Sequence, residues 1–390
     1  MSLTKTSKDF KKGLGLFIVL AIAYYIVILV IIPNSKNALR KLIPDKTPPN
    51  AIYGQLDPLK FTKKSITNGS PRYVLDTRDG KLPENLPRLV QVYKIRKPQY
   101  SYLAGTEAQN SAAILGYTES DLASDLKGDT LKWTSLLSGG TLEITKSTGE
   151  ISANTNFMLQ ASEYKPGNIN DKQAVSYATE LLKKINRFDD TYGITAKGTQ
   201  TVTLGRITGN TIINTLLFAE AQFARVDFYR QFGEYKVYGP DPAQGLISIY
   251  LRNPTLGNSP YNYPIMDINL HTVEEIKPKD KKTPIDPATI AKYPIIYPDE
   301  AWDEVKRNNG VIVNVTPKDT NLLAPYEPTK VETVFIKDIF LAYYEPKEYT
   351  PYLQPIYVFK GIYNTKGTPG GEITIYFPAI TKQYIRTSSK

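Results

Sequence analysis

The sequence predicts an α+β protein: an N-terminal single transmembrane helix followed by tandem helix-plus-antiparallel-sheet units. Three observations carry this expectation. Residues 13–32 read GLGLFIVLAIAYYIVILVII, 20 residues without a charge, closed by Pro33. Beyond them, an amphipathic helical stretch followed by strand-like alternation recurs three times. The regular strand–helix alternation of a parallel α/β enzyme is missing.

The apolar run has the length of a span. At about 1.5 Å rise per residue it covers a hydrocarbon core of about 30 Å. Gly13, Leu14, Phe17 and Ile32 belong to its apolar surface, and Tyr24 and Tyr25 fall at mid-span, where a phenol needs a partner. A cleaved signal peptide would have a shorter apolar core and an A-x-A pattern at the cut, whereas the chain continues PNSKNALRK. The net charge of +10 concentrates here. Lys5, Lys8, Lys11, Lys12, Lys36, Arg40, Lys41 and Lys46 stand against Asp9 and Asp45 alone within residues 1–46. That excess suits lipid headgroups, and no basic patch interleaved with aromatics marks the remainder, so nucleic acid is excluded as a partner. Both flanks are basic and do not set orientation by themselves. The short N-tail and the long Tyr-rich, cysteine-free body favour a cytoplasmic N-terminus and an extracellular body at a bacterial cell membrane.

The expected divisions are a tail (1–12), an anchor (13–33) in contact with membrane lipid, a linker (34–60), and α+β units at 61–165, 166–276 and 277–390. Pro44, Pro48, Pro49 and Pro58 keep the linker extended. In the first unit, residues 88–94 read as a strand, 106–115 as a helix stopped by Gly116, and 141–145 as the first arm of a hairpin turning at 146–149. The second unit opens on the strongest helix. Ala174, Val175, Ala178, Leu181, Leu182 and Ile185 form one stripe, and Asn170 or Asp171 caps it. Ala224, Val226 and Phe228 then alternate with Arg225, Asp227 and Tyr229, the period of a half-buried strand. Strands at 235–238, 246–251 and 265–276 follow, the first two joined by the turn GPDPAQG. In the third unit, residues 299–309 form a short helix with acids in its first turn. A long strand covers 331–343, and strands 355–363 and 372–377 pair across glycines 367–371.

The chemistry on offer is narrow. With no cysteine and a single histidine, His271, thiol catalysis and transition-metal sites are excluded and no metal or cofactor is called for. His271 shares a strand face with Asp267 and Asn269, and no G-x-S-x-G elbow accompanies it. Ser124 and Lys127 match S-x-x-K, yet Gly128 follows at once and no K-T-G exists. The pairs Asp189/Asp190, Glu274/Glu275, Asp299/Glu300 and Asp303/Glu304 are the raw material for a carboxylate-dependent hydrolase, with solvated surface as the bland reading. Asp76 to Gly80 lacks calcium-loop spacing and reads as a turn. Among the 28 tyrosines, Tyr261, Tyr263, Tyr343, Tyr344, Tyr349 and Tyr352 cluster and form the candidate interaction surface.

The segment 224–251 (ARVDFYRQFGEYKVYGPDPAQGLISIYL), preceded by the helical stretch 172–187, resembles the YycH/YycI-type and PepSY-like ectodomains. Residues 334–360 and 374–379 look like the closing half of the same kind of unit. The resemblance implies helix-plus-sheet modules held outside the cell by an N-terminal anchor, a regulatory or inhibitory role and no catalytic residues. The expected function is therefore an extracytoplasmic binding or regulatory protein, not an enzyme. It would meet an envelope or membrane protein partner or a further copy of itself. A hydrolase and a structural subunit of a surface assembly are the alternatives.

Overall fold

Strand outweighs helix more than twofold among the described residues. The computed structural model describes residues 48–390 together with Tyr24, except for residues 100, 124–127, 136–138, 155–165, 168–169, 189–191, 193–198, 210, 253–264, 269–288, 319–325 and 388–390. In chain order come β1 (Arg72–Leu75), β2 (Leu89–Gln91), β3 (Tyr93–Lys94), helix α1 (Ala104–Ile114), β4 (Thr130–Thr134), β5 (Thr141–Thr145), β6 (Ile151–Asn154) and helix α2 (Asp171–Lys184). Next are β7 (Gln200–Thr208), β8 (Thr211–Asn214), β9 (Phe223–Phe228), β10 (Gln231–Phe232), β11 (Tyr235–Tyr238), β12 (Ile247–Arg252) and β13 (Ile265–Ile268). The last are β14 (Lys292–Pro294), helix α3 (Pro298–Lys306), β15 (Val311–Pro317), β16 (Thr333–Tyr344), β17 (Tyr352–Thr365) and β18 (Thr368–Pro378).

Two large sheets result. An antiparallel sheet runs β4-β5-β6-β13-β12-β9-β7-β8. A mixed sheet runs β10-β11-β16-β17-β18-β15. One edge of β16 in that sheet takes two parallel partners, β1 along Thr333–Ile336 and β11 at Tyr343 and Tyr344. Strand β3 adds antiparallel to the start of β17, and β2 pairs with β14 in a small separate ribbon.

The expected fold class is corrected on both counts. Eighteen strands stand against three α-helices among the described residues, so the fold is sheet-rich, with a curled sheet. The units are not tandem: β1 from the first passage pairs with β16 from the third, and β11 from the second joins the same strand. Local periodicity shows which residues face a core but not which distant strand supplies the neighbour. The single-pass transmembrane, signal-anchor reading and the localisation built on it are corrected as well, because no helix among the described residues is long and apolar enough to cross a membrane. Hydropathy measures apolarity along the chain, whereas a span also requires a continuous helix of about 20 residues. Of the anchor residues, Gly13, Leu14, Phe17, Tyr25 and Ile32 lie outside the described residues, and Tyr24 is helical and exposed.

The helices form where the sequence stripes predict them, with small shifts. In α2, Asn170 caps the first turn by accepting from Gln173 N at 2.9 Å, while Gln173 Oε1 reaches back to Asn170 N at 3.5 Å. Ala174, Ala178, Leu181, Leu182 and Ile185 are buried against β7, β9 and β12, and α1 packs beside it on β4 and β5. Helix α3 begins with Pro298, whose missing N–H costs nothing at that position. Its Trp302 stacks on Phe359 of β17. One apolar cluster runs continuously from the α2 face of the antiparallel sheet to the α3 face of the mixed sheet. Residues 50–390 form one compact unit.

Three local expectations change. Residues 50–60, read as part of the extended linker, belong to the body: Leu56 is buried, and Leu59 packs on the mixed sheet together with Phe61. Prolines stiffen that stretch, but its apolar side chains find a surface. The β17–β18 turn is tighter than the glycine run suggests, with Lys366 and Gly367 at positive φ between paired Thr365 and Thr368. Strand β9 is buried on both faces, not one. Arg225 and Asp227 make this tolerable. Asp227 accepts from Arg225 Nε at 2.8 Å, Ser248 Oγ at 2.8 Å and Gly245 N at 3.0 Å. Arg225 also donates to Ala243 O at 2.8 Å, which ties the loop 239–245 down. A Cβ on Gly245 would meet Phe228 backbone atoms at 2.6 Å, so only glycine lets the loop approach β9 this closely.

The chain leaves the antiparallel sheet at Phe228 and enters the mixed sheet at Gln231, with Tyr229 and Arg230 between. Arg230 Nη1 donates to Glu345 Oε1 at 3.3 Å and Oε2 at 3.2 Å, and both side chains are 2% exposed or less. The Phe232 and Tyr192 rings lie 5.4 and 5.7 Å from the guanidinium. Removing one member strands a buried charge. Arg230→Ala and Glu345→Ala are each expected to lose about 3–5 kcal/mol in urea unfolding. The double variant Arg230→Met/Glu345→Leu should lie closer to wild type. Lys132→Ala, in the exposed Lys132–Glu143 pair, should lose under about 1 kcal/mol.

Candidate functional site

The mixed sheet has two unlike faces. One carries Ile336, Leu341, Tyr343, Tyr357 and Phe359 into the main core. The other carries Ala342, Tyr344, Ile356, Val358 and Tyr376, joined by Tyr229 and Tyr238. Phe61 closes part of this second face, edge-on to Tyr344 at 4.9 Å and to Tyr376 at 5.5 Å. Tyr344 donates to Lys60 O at 3.2 Å and Tyr376 to Gly239 O at 3.1 Å, so the covering segments are held through phenols. Past Tyr238, among the described residues, the face is less covered: Phe340 and Lys360 are half-buried and Ile362 is 38% exposed.

Two lysines sit on this open part. Lys236 and Tyr238 are two apart on β11 and share a face. Lys236 Nζ lies 5.3 Å from the Tyr229 ring centroid. Lys360, mid-sheet in register with Asp338 on β16 and Thr374 on β18, lies 4.9 Å from the Tyr238 ring and 5.8 Å from Phe340. Its Nζ donates to the Tyr238 hydroxyl at 3.3 Å. Both lysines are half-buried, and neither forms an ion pair among the described residues. Burial lowers the pKa of each amine, and Lys236 lowers that of Lys360 further by charge repulsion. Asp338 and Glu372, both exposed, act in the opposite sense on Lys360. Burial also pushes the Tyr238 phenol up to about 12, so it stays a neutral hydroxyl. The arrangement presents two ammonium groups and a hydroxyl on an aromatic floor.

The second exposed surface is a knuckle between β8 and β9. Leu216 is 94%, Leu217 58% and Phe218 48% exposed. Both ends of the loop are tied to β7, by Thr215 N to Leu204 O and Gln222 N to Gly205 O, each at 2.9 Å. Gln222 Oε1 accepts from Ile207 N at 2.7 Å, and an Arg206–Glu220 ion pair at 3.2 Å flanks the turn. The apolar residues are thus held outward by a braced loop beside β8, the last strand of the antiparallel sheet among the described residues.

The residues singled out in the sequence are dispersed. Tyr343 and Tyr344 are core residues at 2% and 1% exposure, so neither presents a surface to a partner. Alternation along β16 turns them to opposite faces, and both faces are covered. Tyr343 donates to Gln91 O at 2.7 Å. Tyr352 is half-buried and stacked on Tyr53 at 4.7 Å, and Tyr349 is 37% exposed. Tyr261, Tyr263, His271, Ser124, Lys127, Asp189, Asp190, Glu274 and Glu275 lie outside the described residues. Asp303 and Glu304 pair with Lys306 and Arg307 on their own helix, and Asp299 and Glu300 occupy its first turn. Asp79 accepts from Lys81 N at 3.1 Å in the expected turn. Sequence reasoning missed Lys236 and Lys360, because the amine meets its phenol across 122 positions. The knuckle had a signal, as Leu216, Leu217, Phe218 and Ala219 form an unbroken apolar run.

No family model matches this chain. No curated protein matches it either. Among solved structures, an uncharacterized protein from Eubacterium rectale ATCC 33656 is similar at 12% identity and a TM-score of 0.39, over 75% of this chain and 85% of that one. At that score the likeness carries no argument. The YycH/YycI-type and PepSY-like resemblance gains no support from these comparisons.

The lysine environment has a measurable consequence. A lowered amine pKa means that the folded state disfavours the charged form. The resulting penalty is full below the folded pKa and disappears as pH rises to the unfolded value near 10.5. Lys360→Met is therefore expected to raise the melting temperature at pH 7, with the advantage over wild type shrinking toward pH 10.5. Melting curves across that range check it.

Proposed function

We propose that this chain is a non-enzymatic binding protein that works through protein–protein contacts, with the Leu216–Leu217–Phe218 knuckle as its contact point. The exposure of three successive large apolar side chains on a braced turn is the observation that carries this reading. Contiguous exposed apolar groups rimmed by charge cost solubility and mark contact surfaces. Bracing lowers the ordering cost of binding, because the loop is already held at both ends. The Arg206–Glu220 pair supplies a polar rim.

The partner in this reading is a protein with an apolar pocket sized for a leucine and a phenylalanine. A photo-crosslinking residue at position 217 should give one discrete adduct, absent when the same residue stands at Lys337 on the mixed sheet. The adducted protein, purified, should rebind wild type and lose at least about tenfold affinity for a Leu216→Ser/Leu217→Ser/Phe218→Ser variant. That variant should melt as wild type does, since the three side chains contribute little to the core. Equal binding by variant and wild type, or the same adducts from positions 217 and 337, would remove the knuckle from the function.

A further inference from the structure

An asparagine or aspartate directly before a glycine is a reactive pair. Glycine has no Cβ, so its amide nitrogen can reach the carbonyl carbon of the preceding side chain. The sequence holds three such pairs: Asn68-Gly69, Asp79-Gly80 and Asn309-Gly310. The fold shields two of them. The half-buried Asn68 side chain is clamped at both ends, its Oδ1 accepting from Val331 N at 2.7 Å and its Nδ2 donating to Val331 O. Asp79 accepts from Lys81 N at 3.1 Å, which holds its carboxyl below the usual range and keeps it an ionised carboxylate with no leaving group for an amide to displace. The Gly80 nitrogen, which would have to attack it, donates to Thr77 O at 2.9 Å.

Asn309 differs from both. It is exposed, lies between the end of α3 and the start of β15, and among the described residues its side chain is held by one hydrogen bond, from Nδ2 to Glu304 Oε2 at 2.6 Å. Packing fixes the glycine that makes the pair reactive. A Cβ at Gly310 would meet Ile375 Cγ2 at 2.7 Å and Val305 Cγ2 at 3.0 Å, so a larger residue is disfavoured there.

We propose that Asn309 is a site of spontaneous deamidation that ages the junction between α3 and β15. Gly310 N attacks Asn309 Cγ and gives up its proton, the Cγ–Nδ2 bond breaks, and ammonia leaves with that proton, which closes a succinimide. Water then opens the ring at either carbonyl, to aspartate or to isoaspartate, with no change of oxidation state. Aspartate replaces the Nδ2 donor with a carboxylate that faces Glu304, at the C-terminal end of α3 where the helix dipole opposes negative charge. Isoaspartate routes the backbone through the side-chain carbon and lengthens it beside the tightly packed Gly310.

Peptide mapping by mass spectrometry after days in mildly alkaline buffer tests the site, on the full chain folded and, in parallel, unfolded in guanidinium chloride. In the folded chain the Asn309 peptide should gain the mass of amide-to-acid conversion at least about tenfold faster than the Asn68 peptide, the protection that two hydrogen bonds give. Unfolding releases the Asn68 clamp, so the two rates should converge. Asn309→Ser removes one surface hydrogen bond and should fold. It should abolish the gain in its peptide, and its melting temperature should hold steady on storage while that of wild type falls. An unconverted Asn309 peptide in the folded chain, conversion of Asn68 as fast as Asn309 there, or a storage-dependent fall in melting temperature as large in Asn309→Ser as in wild type would each overturn the assignment.

Discussion

The buried ion pair between Arg230 and Glu345 is the constraint on which the rest of this structure depends. It sits where the chain crosses from the antiparallel sheet to the mixed sheet, and it joins that crossing to the end of β16. Two backbone bonds flank it, Val237 N to Arg230 O at 2.8 Å and Glu345 N to Tyr238 O at 2.9 Å. Together they hold β11 in parallel register with Tyr343 and Tyr344. Because side chains alternate along a strand, that register decides which β11 residues reach the open face. A slip of one residue would turn Lys236 and Tyr238 into the main core and Val237 out of it. A buried pair adds little net stability over an apolar pair, but it penalises any arrangement that leaves either charge alone.

A second polar cluster does similar work within the antiparallel sheet. Asp227, fully buried, accepts from a guanidinium, a hydroxyl and a backbone N–H, so its charge is compensated on several sides. The effect is to fasten loop 239–245 against β9 and allow a strand carrying two charged residues to be buried on both faces. Gly239 at the start of that loop then accepts from Tyr376 of the mixed sheet. Each sheet thus helps to cover the other.

The abundance of tyrosine has the same explanation. Tyr343, Tyr344, Tyr357 and Tyr376 are buried, and each donates its hydroxyl to a backbone carbonyl of a different segment: Gln91, Lys60, Ile296 and Gly239. Irregular segments leave carbonyls unpaired, and a phenol carried on a strand can satisfy one while its ring fills the core. Burial pushes these phenols well above their ordinary range, so they remain hydrogen-bond donors at any physiological pH. Tyrosine serves here as a tether between the sheets and the loops that cover them.

The sequence by itself determined the local elements. The α2 stripe and its Asn170 cap, the acids and proline opening α3, and the long alternating runs of β16 and β17 are governed by side chains within a turn or two of each other. It also marked the apolar stretch that begins at Leu216. Only the tertiary structure decided that three passages share sheets, that Tyr343 and Tyr344 face inward, that residues 50–60 belong to the body, and that Lys360 lies over Tyr238. The physical reason is range. Periodicity reports which side of an element is apolar, whereas the pairing of β1 with β16, the cover over Tyr344 and the meeting of Arg230 with Glu345 join residues more than 100 positions apart, the last pair at a separation of 115.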